Sequence, residues 1–231
     1  MSNNPIFCAV DTVDAGAARD LVGKVSGLIG GVKLGLEFFT ANGCDGVRRV
    51  MDDADLPLFI DLKFHDIPNT VAGAVRGISC LSPAFFTIHA GGGGAMMKAA
   101  VDAAEGRSTV LAVTILTSLA ESDMAPMGIS GSVADQVKRL ADLAQASGVG
   151  GLVCSPHEVA LLRAHLGPDM ALVVPGIRPK GSKADDQART LTPAEALKVG
   201  ADHLVIGRPI TAAPDPAEAA RAILDSLTES V

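Results

Sequence analysis

Short apolar runs alternate with helix-like stretches along the whole chain. The runs fall at 6–11, 31–35, 58–63, 85–90, 109–116, 151–155, 171–176 and 203–207. Most are continuous rather than alternating, the pattern of parallel strands covered on both faces. Helical spacing occupies 69–81, 95–104, 132–146 and 156–165. Ser155-x-x-Glu158 and Thr192-x-x-Glu195 read as capping boxes, the second with Pro193 at the first helical position. Asp215-Pro216 opens a last helix, to about Leu227, in the same way. Eight β units, each followed by a helix, predict a closed (β/α)8 barrel, the TIM barrel, with an open doubly wound sheet as the alternative. No linker or shift in composition divides the chain, so residues 1–231 are expected to form a single α/β domain.

Composition narrows the function. Hydrophobic residues make up 48% of the 231 and charged residues 19%, which leaves room for a large core and argues against disorder. The net charge of −7 speaks against a general binder of nucleic acid or anionic membrane, though not against a small anion in a local cationic pocket. No apolar run is long enough for a membrane span, and Met1-Ser2-Asn3-Asn4-Pro5 lacks the basic and apolar regions of a secretion signal. Cys8, Cys44, Cys80 and Cys154 stand far apart and read as reduced, mostly buried thiols of a cytoplasmic protein. Trp and Tyr are absent, so a ring-shaped ligand would be gripped by hydrogen bonds and by aliphatic or Phe contacts.

The chemistry gathers at the ends of the predicted strands, where such barrels build their active sites. The richest segment runs from Phe59 to Thr70. Side chains alternate along a strand, so Asp61 and Lys63 should share one face while Leu62 and Phe64 pack on the other. Asp66 lies just past the strand, where the chain can turn it back toward Lys63. With Lys33 of the second strand these residues make a set of two lysines and two aspartates with no net charge. Such a set favours decarboxylation or proton transfer at carbon: a substrate carboxylate beside Asp61 is repelled, and Lys63 faces the carbanion left behind and can protonate it. The plain alternative is a buried structural ion pair at the sheet rim. Arg178 after strand seven and Gly207-Arg208 at the end of strand eight suit a phosphate, which Arg meets with its forked donors.

Other polar residues have modest readings. His65 suggests packing or support of neighbouring groups, His89 a hydrogen-bonded strand-end histidine, and Ser155 a helix cap. His157, His165 and His203 show no metal-ligand spacing. Gly91-Gly92-Gly93-Gly94 suits a tight turn or the close approach of a ligand. The polar stretch 179–190 has nothing to anchor it in a core and is expected to be a lid.

Taken together, these motifs resemble the bacterial type of the orotidine 5′-phosphate decarboxylase family over essentially the full length. The resemblance rests on Asp11 in AVD, Lys33 in VKLG, DLKFHDIPNT at 61–70, LTS at 116–118, PGIRP at 175–179, Gln187, and IGRPI at 206–210. It implies conversion of orotidine 5′-monophosphate to UMP, the last step of pyrimidine nucleotide synthesis, with no metal or organic cofactor. It also implies roles: Lys63 as proton donor, Asp61 crowding the departing carboxylate, and Lys33 and Asp66 completing the charge network. Asp11 and Lys33 would meet the ribose hydroxyls, and Thr117 and Ser118 the pyrimidine edge. Arg208, Gly207 and Gln187 would hold the phosphate, with Arg178 nearby. The implied assembly is a homodimer in which Asp66 and Thr70 reach the partner's active site, and Ile67 is a further substrate-binding residue.

Two other readings stay open at this stage. Mg2+-dependent sugar-phosphate decarboxylases and aldolases of the same superfamily share the D-x-K-x-x-D strand. They carry an acidic residue where this chain has Lys33, whose ammonium would repel a divalent ion. A non-catalytic nucleotide-binding barrel would account for Arg208 and the lid, but not for the alternating charges.

Overall fold

A computed structural model describes residues 4–179 and 191–228. Eight parallel strands close in sequence order into a barrel: β1 (Ile6–Val10), β2 (Gly31–Gly35), β3 (Leu58–Phe64), β4 (Phe85–His89), β5 (Thr109–Val113), β6 (Gly151–Val153), β7 (Ala171–Val174) and β8 (His203–Ile206). The open-sheet alternative is thereby excluded. Around the barrel run α1 (Ala15–Val25), α2 (Leu36–Met51), α3 (Pro68–Ile78), α4 (Gly94–Ala104), α5 (Glu121–Met124), α6 (Val133–Ala146), α7 (Val159–Leu166), α8 (Pro193–Lys198), α9 (Arg208–Thr211) and α10 (Pro216–Thr228).

Strand parity divides the core in two. Ile6, Cys8, Val10, Val32, Leu34, Ile60, Phe86 and Ile88 point outward and pack against the helices. Phe7, Ala9, Phe59, Phe85, Leu111, Val173 and Val205 point inward and fill the barrel. Rings of Phe7, Phe59, Phe85 and His203 meet edge-on or tilted, with centroids 5.2–6.0 Å apart. This aromatic plug closes the barrel floor and leaves the C-terminal mouth for polar groups.

Helix starts follow the sequence signals. The Thr192 hydroxyl accepts from Glu195 N–H, and the Glu195 carboxylate accepts from Thr192 N–H at 2.9 Å. The Asp215 carboxylate takes the N–H groups of Ala217 and Glu218 at 2.9 and 3.1 Å. Between β4 and α4 the four glycines form one short turn, with Gly93 at φ 84°. A Cβ on Gly92 would stand 2.1 Å from Met96 Sδ and 3.2 Å from the His65 ring, so any larger residue there requires the Met96 side chain to move.

Three expectations need correction. The fifth apolar run was expected to be strand through residue 116, but β5 ends at Val113. Ile115 still packs in the core, so the run of apolar residues outlasts the strand. The segment from Pro156 begins as a 3-10 turn before α7. Of the four cysteines only Cys8 and Cys154 are buried; Cys80 is exposed, and its sulfur accepts from Arg48 Nη2 at 3.1 Å.

Candidate active site

The charged cluster at the mouth is built by β1, β2 and β3. Lys33 projects from β2 into the barrel and is nearly buried. Its Nζ lies 3.3 Å from Asp11 Oδ1, just beyond β1, and 3.6 Å from Asp61 Oδ2 on β3. Lys63 Nζ donates to Asp61 Oδ1 at 2.8 Å. Asp61 therefore sits between two ammonium groups, and Asp11 caps the outer side of Lys33. Gly35, at the end of β2, leaves space for the cluster: a Cβ there would stand 3.0 Å from Lys33 Nζ and 3.5 Å from Asp11 Oδ1.

Asp61 and Lys63 do face the same way, but not by simple alternation. The register of β3 against β4 shifts between Ile60 and Phe64, so β3 spends four residues where β4 spends two, from Phe86 to Ile88. Lys63 takes the slack with φ 50°, in the left-handed region that non-glycine residues rarely occupy. Strain of this kind concentrates at functional sites. Thr87 of β4 meets the bulge. Its hydroxyl accepts from Lys63 N–H at 2.9 Å and donates to Asp61 Oδ1 at 2.9 Å.

The electrostatics follow from that geometry. Burial pushes the Asp61 carboxyl upward, but Lys33, Lys63 and the hydrogen bonds from Lys63 and Thr87 outweigh it and hold the group below the ordinary carboxylate range. Burial holds His89 below the usual imidazole value, and nearby His65 and Lys63 add to this. The His89 ring lies against that of His65, with centroids 5.5 Å apart. The expected hydrogen bond to His89 is absent among the described residues; the ring is half-buried and held by packing.

Asp66 departs from the expectation. Its carboxylate does not return to Lys63 but accepts from Ile67 N–H at 2.6 Å and is exposed. The cause is local: Pro68 begins α3 and keeps Ile67 extended at ψ 152°, so the loop leads away from the cluster. Ile67 is 67% exposed, and Thr70 is exposed as well.

The other half of the mouth is a cavity of about 620 Å³ on the β5–β8 side. Thr117, Ser118, Ser155, Gly176 and Arg208 line it, all close to strand ends. Leu116, Glu121, Val133 and His157, none of them predicted as site residues, contribute as well. Gly207 caps α9 and carries Arg208 at its first position. Ser155 N–H donates to Glu158 Oε2 at 2.9 Å, so the residue is a cap as well as a cavity wall. Arg178, after β7, donates from its guanidinium to the Ile177 carbonyl at 3.0 Å and from its backbone N–H to the Leu191 carbonyl at 3.0 Å. Gln187 and nearly all of the expected lid lie outside the described residues.

The sequence reading missed Thr87 and Gly35. Thr87 is the one polar side chain between Phe85 and His89 on the inward face of β4, and that parity was a usable signal.

A parallel barrel with a carboxylate clamped between two lysines at its mouth, beside a cavity bearing an arginine, belongs with enzymes that handle a carbanion on a small anionic substrate. Residues 4–223 match the family "Orotidine 5'-phosphate decarboxylase / HUMPS family", and the chain belongs to that family. It is 52% identical over 231 residues to an orotidine 5'-phosphate decarboxylase of Rhodospirillum rubrum, covering 96% of this chain and 94% of the relative. A protein of the same name from Paramagnetospirillum magneticum is 56% identical over 225 residues, with 94% and 95% covered. Among solved structures, the orotidine 5'-phosphate decarboxylase of Lactobacillus acidophilus superposes with a TM-score of 0.85 at 34% identity, over 97% of this chain and 99% of that one.

Proposed function

We infer that the protein decarboxylates orotidine 5′-monophosphate to UMP, in the last step of pyrimidine nucleotide synthesis. The observation that carries this reading is Asp61 held between Lys33 and Lys63, at 3.6 and 2.8 Å, inside the barrel mouth. A substrate carboxylate set against Asp61 meets a fixed anion. At an effective dielectric near 20, two such charges about 4 Å apart repel by roughly 4 kcal/mol before solvent relaxation. Departure of CO2 relieves that repulsion. The electron pair left on the pyrimidine carbon then faces the Lys63 ammonium, which stabilises it and delivers a proton.

Lys33 keeps Asp61 ionised and stands between it and Asp11; by the family resemblance Asp11 and Lys33 meet the ribose hydroxyls. Thr117 and Ser118 suit the pyrimidine edge. Arg208 with Gly207 suits the phosphate. By the family resemblance Gln187 joins them on the phosphate, with Arg178 nearby. Phosphate binding far from the reacting carbon supplies energy for orienting the pyrimidine.

The reading extends to a cytoplasmic homodimer that uses no metal or organic cofactor. Exposed Asp66, Ile67 and Thr70 stand together at the mouth, where a second copy could receive them. The Lys33 ammonium lies within 3.3–3.6 Å of Asp11 and Asp61, the carboxylates a divalent ion would seek, which disfavours the Mg2+-dependent alternative. One assay tests the whole reading. The pyrimidine absorbance of orotidine 5′-monophosphate should fall on addition of protein, equally with and without EDTA. Turnover lost in EDTA and restored by Mg2+ would favour the metal-dependent relative; tight UMP binding with no turnover would favour a binding protein.

A further inference from the structure

Thr87 has no part in the roles assigned so far, yet its hydroxyl makes two hydrogen bonds within the charged cluster. Its side chain is wholly buried, and it is one of three buried polar or charged residues among those described, with Lys33 and Thr114. It stands on the inward face of β4, between Phe85 of the barrel floor and His89 at the mouth. Opposite it β3 bulges, and the Lys63 amide leaves the regular ladder at φ 50°. That N–H is a donor and needs an acceptor; Thr87 Oγ1 supplies one at 2.9 Å. A hydroxyl has one proton, and here it goes to Asp61 Oδ1, also at 2.9 Å. The same carboxylate oxygen receives Lys63 Nζ at 2.8 Å. A closed ring results: Lys63 amide to Thr87, Thr87 to Asp61, Asp61 to the Lys63 ammonium. Only a group that accepts and donates at one atom can close it.

We propose that Thr87 is a positioning residue for decarboxylation: its single hydroxyl holds the strained Lys63 backbone and aims the Asp61 carboxylate, so that proton donor and repelling anion keep a fixed separation. The inference rests on the reaction assigned above. Valine has the same shape and can make neither bond. Serine can make both.

The test is steady-state kinetics of Thr87→Val and Thr87→Ser with orotidine 5′-monophosphate, alongside UMP binding and thermal unfolding. Thr87→Val is expected to lower kcat by about 10- to 100-fold, the scale of a small misplacement of catalytic groups, while KM and UMP affinity stay near wild type. Thr87→Ser should restore kcat. Lys33 from β2, Lys63 from β3 and His89 from β4 face Asp61 in every variant, so the donor lost in Thr87→Val should move the acid limb of the kcat profile to higher pH; Thr87→Ser should leave it in place. A merely structural role would lower thermal stability without moving that limb. Wild-type kcat in Thr87→Val, or equal impairment in Thr87→Ser, would overturn the proposal. If Thr87→Val does not fold, Thr87→Cys, similar in volume and a poor donor, is judged by the same criteria. Wild-type protein without turnover in the same assay would defeat the assigned reaction itself.

Discussion

Replacing Asp61 by Asn separates charge from shape. Asn keeps an oxygen that can accept from Thr87 and Lys63, so the hydrogen-bonded frame survives while the anion is gone. Asp61 lies 2.8 Å from Lys63 Nζ and 3.6 Å from Lys33 Nζ. At an effective dielectric near 20 these spacings correspond to gross attractions of about 6 and 5 kcal/mol, much of which desolvation of the buried groups offsets. A substrate carboxylate held at comparable spacing would be repelled by an amount of the same order. If half the larger figure, about 3 kcal/mol, is relieved on reaching the transition state, the rate changes by roughly 100-fold. Asp61→Asn should therefore lower kcat by about that factor or more, while KM stays level or falls, because relief of like-charge repulsion favours the bound substrate. The assay is loss of pyrimidine absorbance at saturating and limiting substrate, with UMP affinity measured by calorimetry as a check on the pocket. A kcat within about threefold of wild type, or a raised KM at unchanged kcat, would remove the repulsion argument and leave Asp61 a binding residue.

Other outcomes bear on separate parts of the reading. Arg208→Ala should weaken substrate and UMP binding by about 2–5 kcal/mol, as for a lost charged partner, and near-normal affinity would put the phosphate elsewhere. Lys63→Ala should abolish turnover while largely sparing UMP binding. Mixed with Asp66→Ala, itself expected to be inactive, it should recover partial activity if sites are shared between two copies; no recovery despite subunit exchange counts against sharing. Burial holds His203 and His89 below the usual imidazole value, so the unfolded chain takes up protons first as pH falls. Folded stability should then decline as pH drops through about 6.5, the ordinary histidine value. His203 also carries an Nδ1 with no hydrogen-bond partner among the described residues, packed against Phe7 and Phe85. His203→Phe should raise stability by about 1 kcal/mol and flatten the dependence of Tm on pH between about 5 and 7. An unchanged slope would show that His203 does not titrate on unfolding.

The architecture was legible because parallel strands buried on both faces leave continuous apolar runs, and all eight runs became strands. Boundaries were less legible where apolar residues serve something other than a strand. Ile115 and Leu116 extend the fifth run, yet one packs beneath the loop and the other lines the cavity. The cavity wall was readable in part: Thr117, Ser118 and Arg208 follow apolar runs as strand-end residues should. His157 follows the sixth run by two residues but reads from the sequence only as a histidine without metal-ligand spacing, and Val133 gave no such signal because it opens a helix away from any strand end.

The lysine–aspartate pair shows how a correct expectation can rest on an incomplete cause. Alternation places Asp61 and Lys63 on one face, and so they are. In a regular strand, however, the Lys63 amide would continue the ladder to β4. Here the register slips by two residues and Lys63 is forced to φ 50°. A period-two pattern cannot reveal such a slip, since a shift of two preserves every face. Its only trace in the sequence is the polar Thr87 on the neighbouring strand, at the inward position where an apolar residue would leave the displaced amide without an acceptor. Asp66 marks the opposite limit. Its spacing from Lys63 suggested a fourth member of the cluster, but Pro68 directs the loop outward and the carboxylate turns to Ile67 N–H. Among the described residues of one chain the lysines are matched by Asp11 and Asp61 alone. A second copy that brought its Asp66 to Lys63 would add the remaining anion, and the complementation of Lys63→Ala with Asp66→Ala measures whether it does.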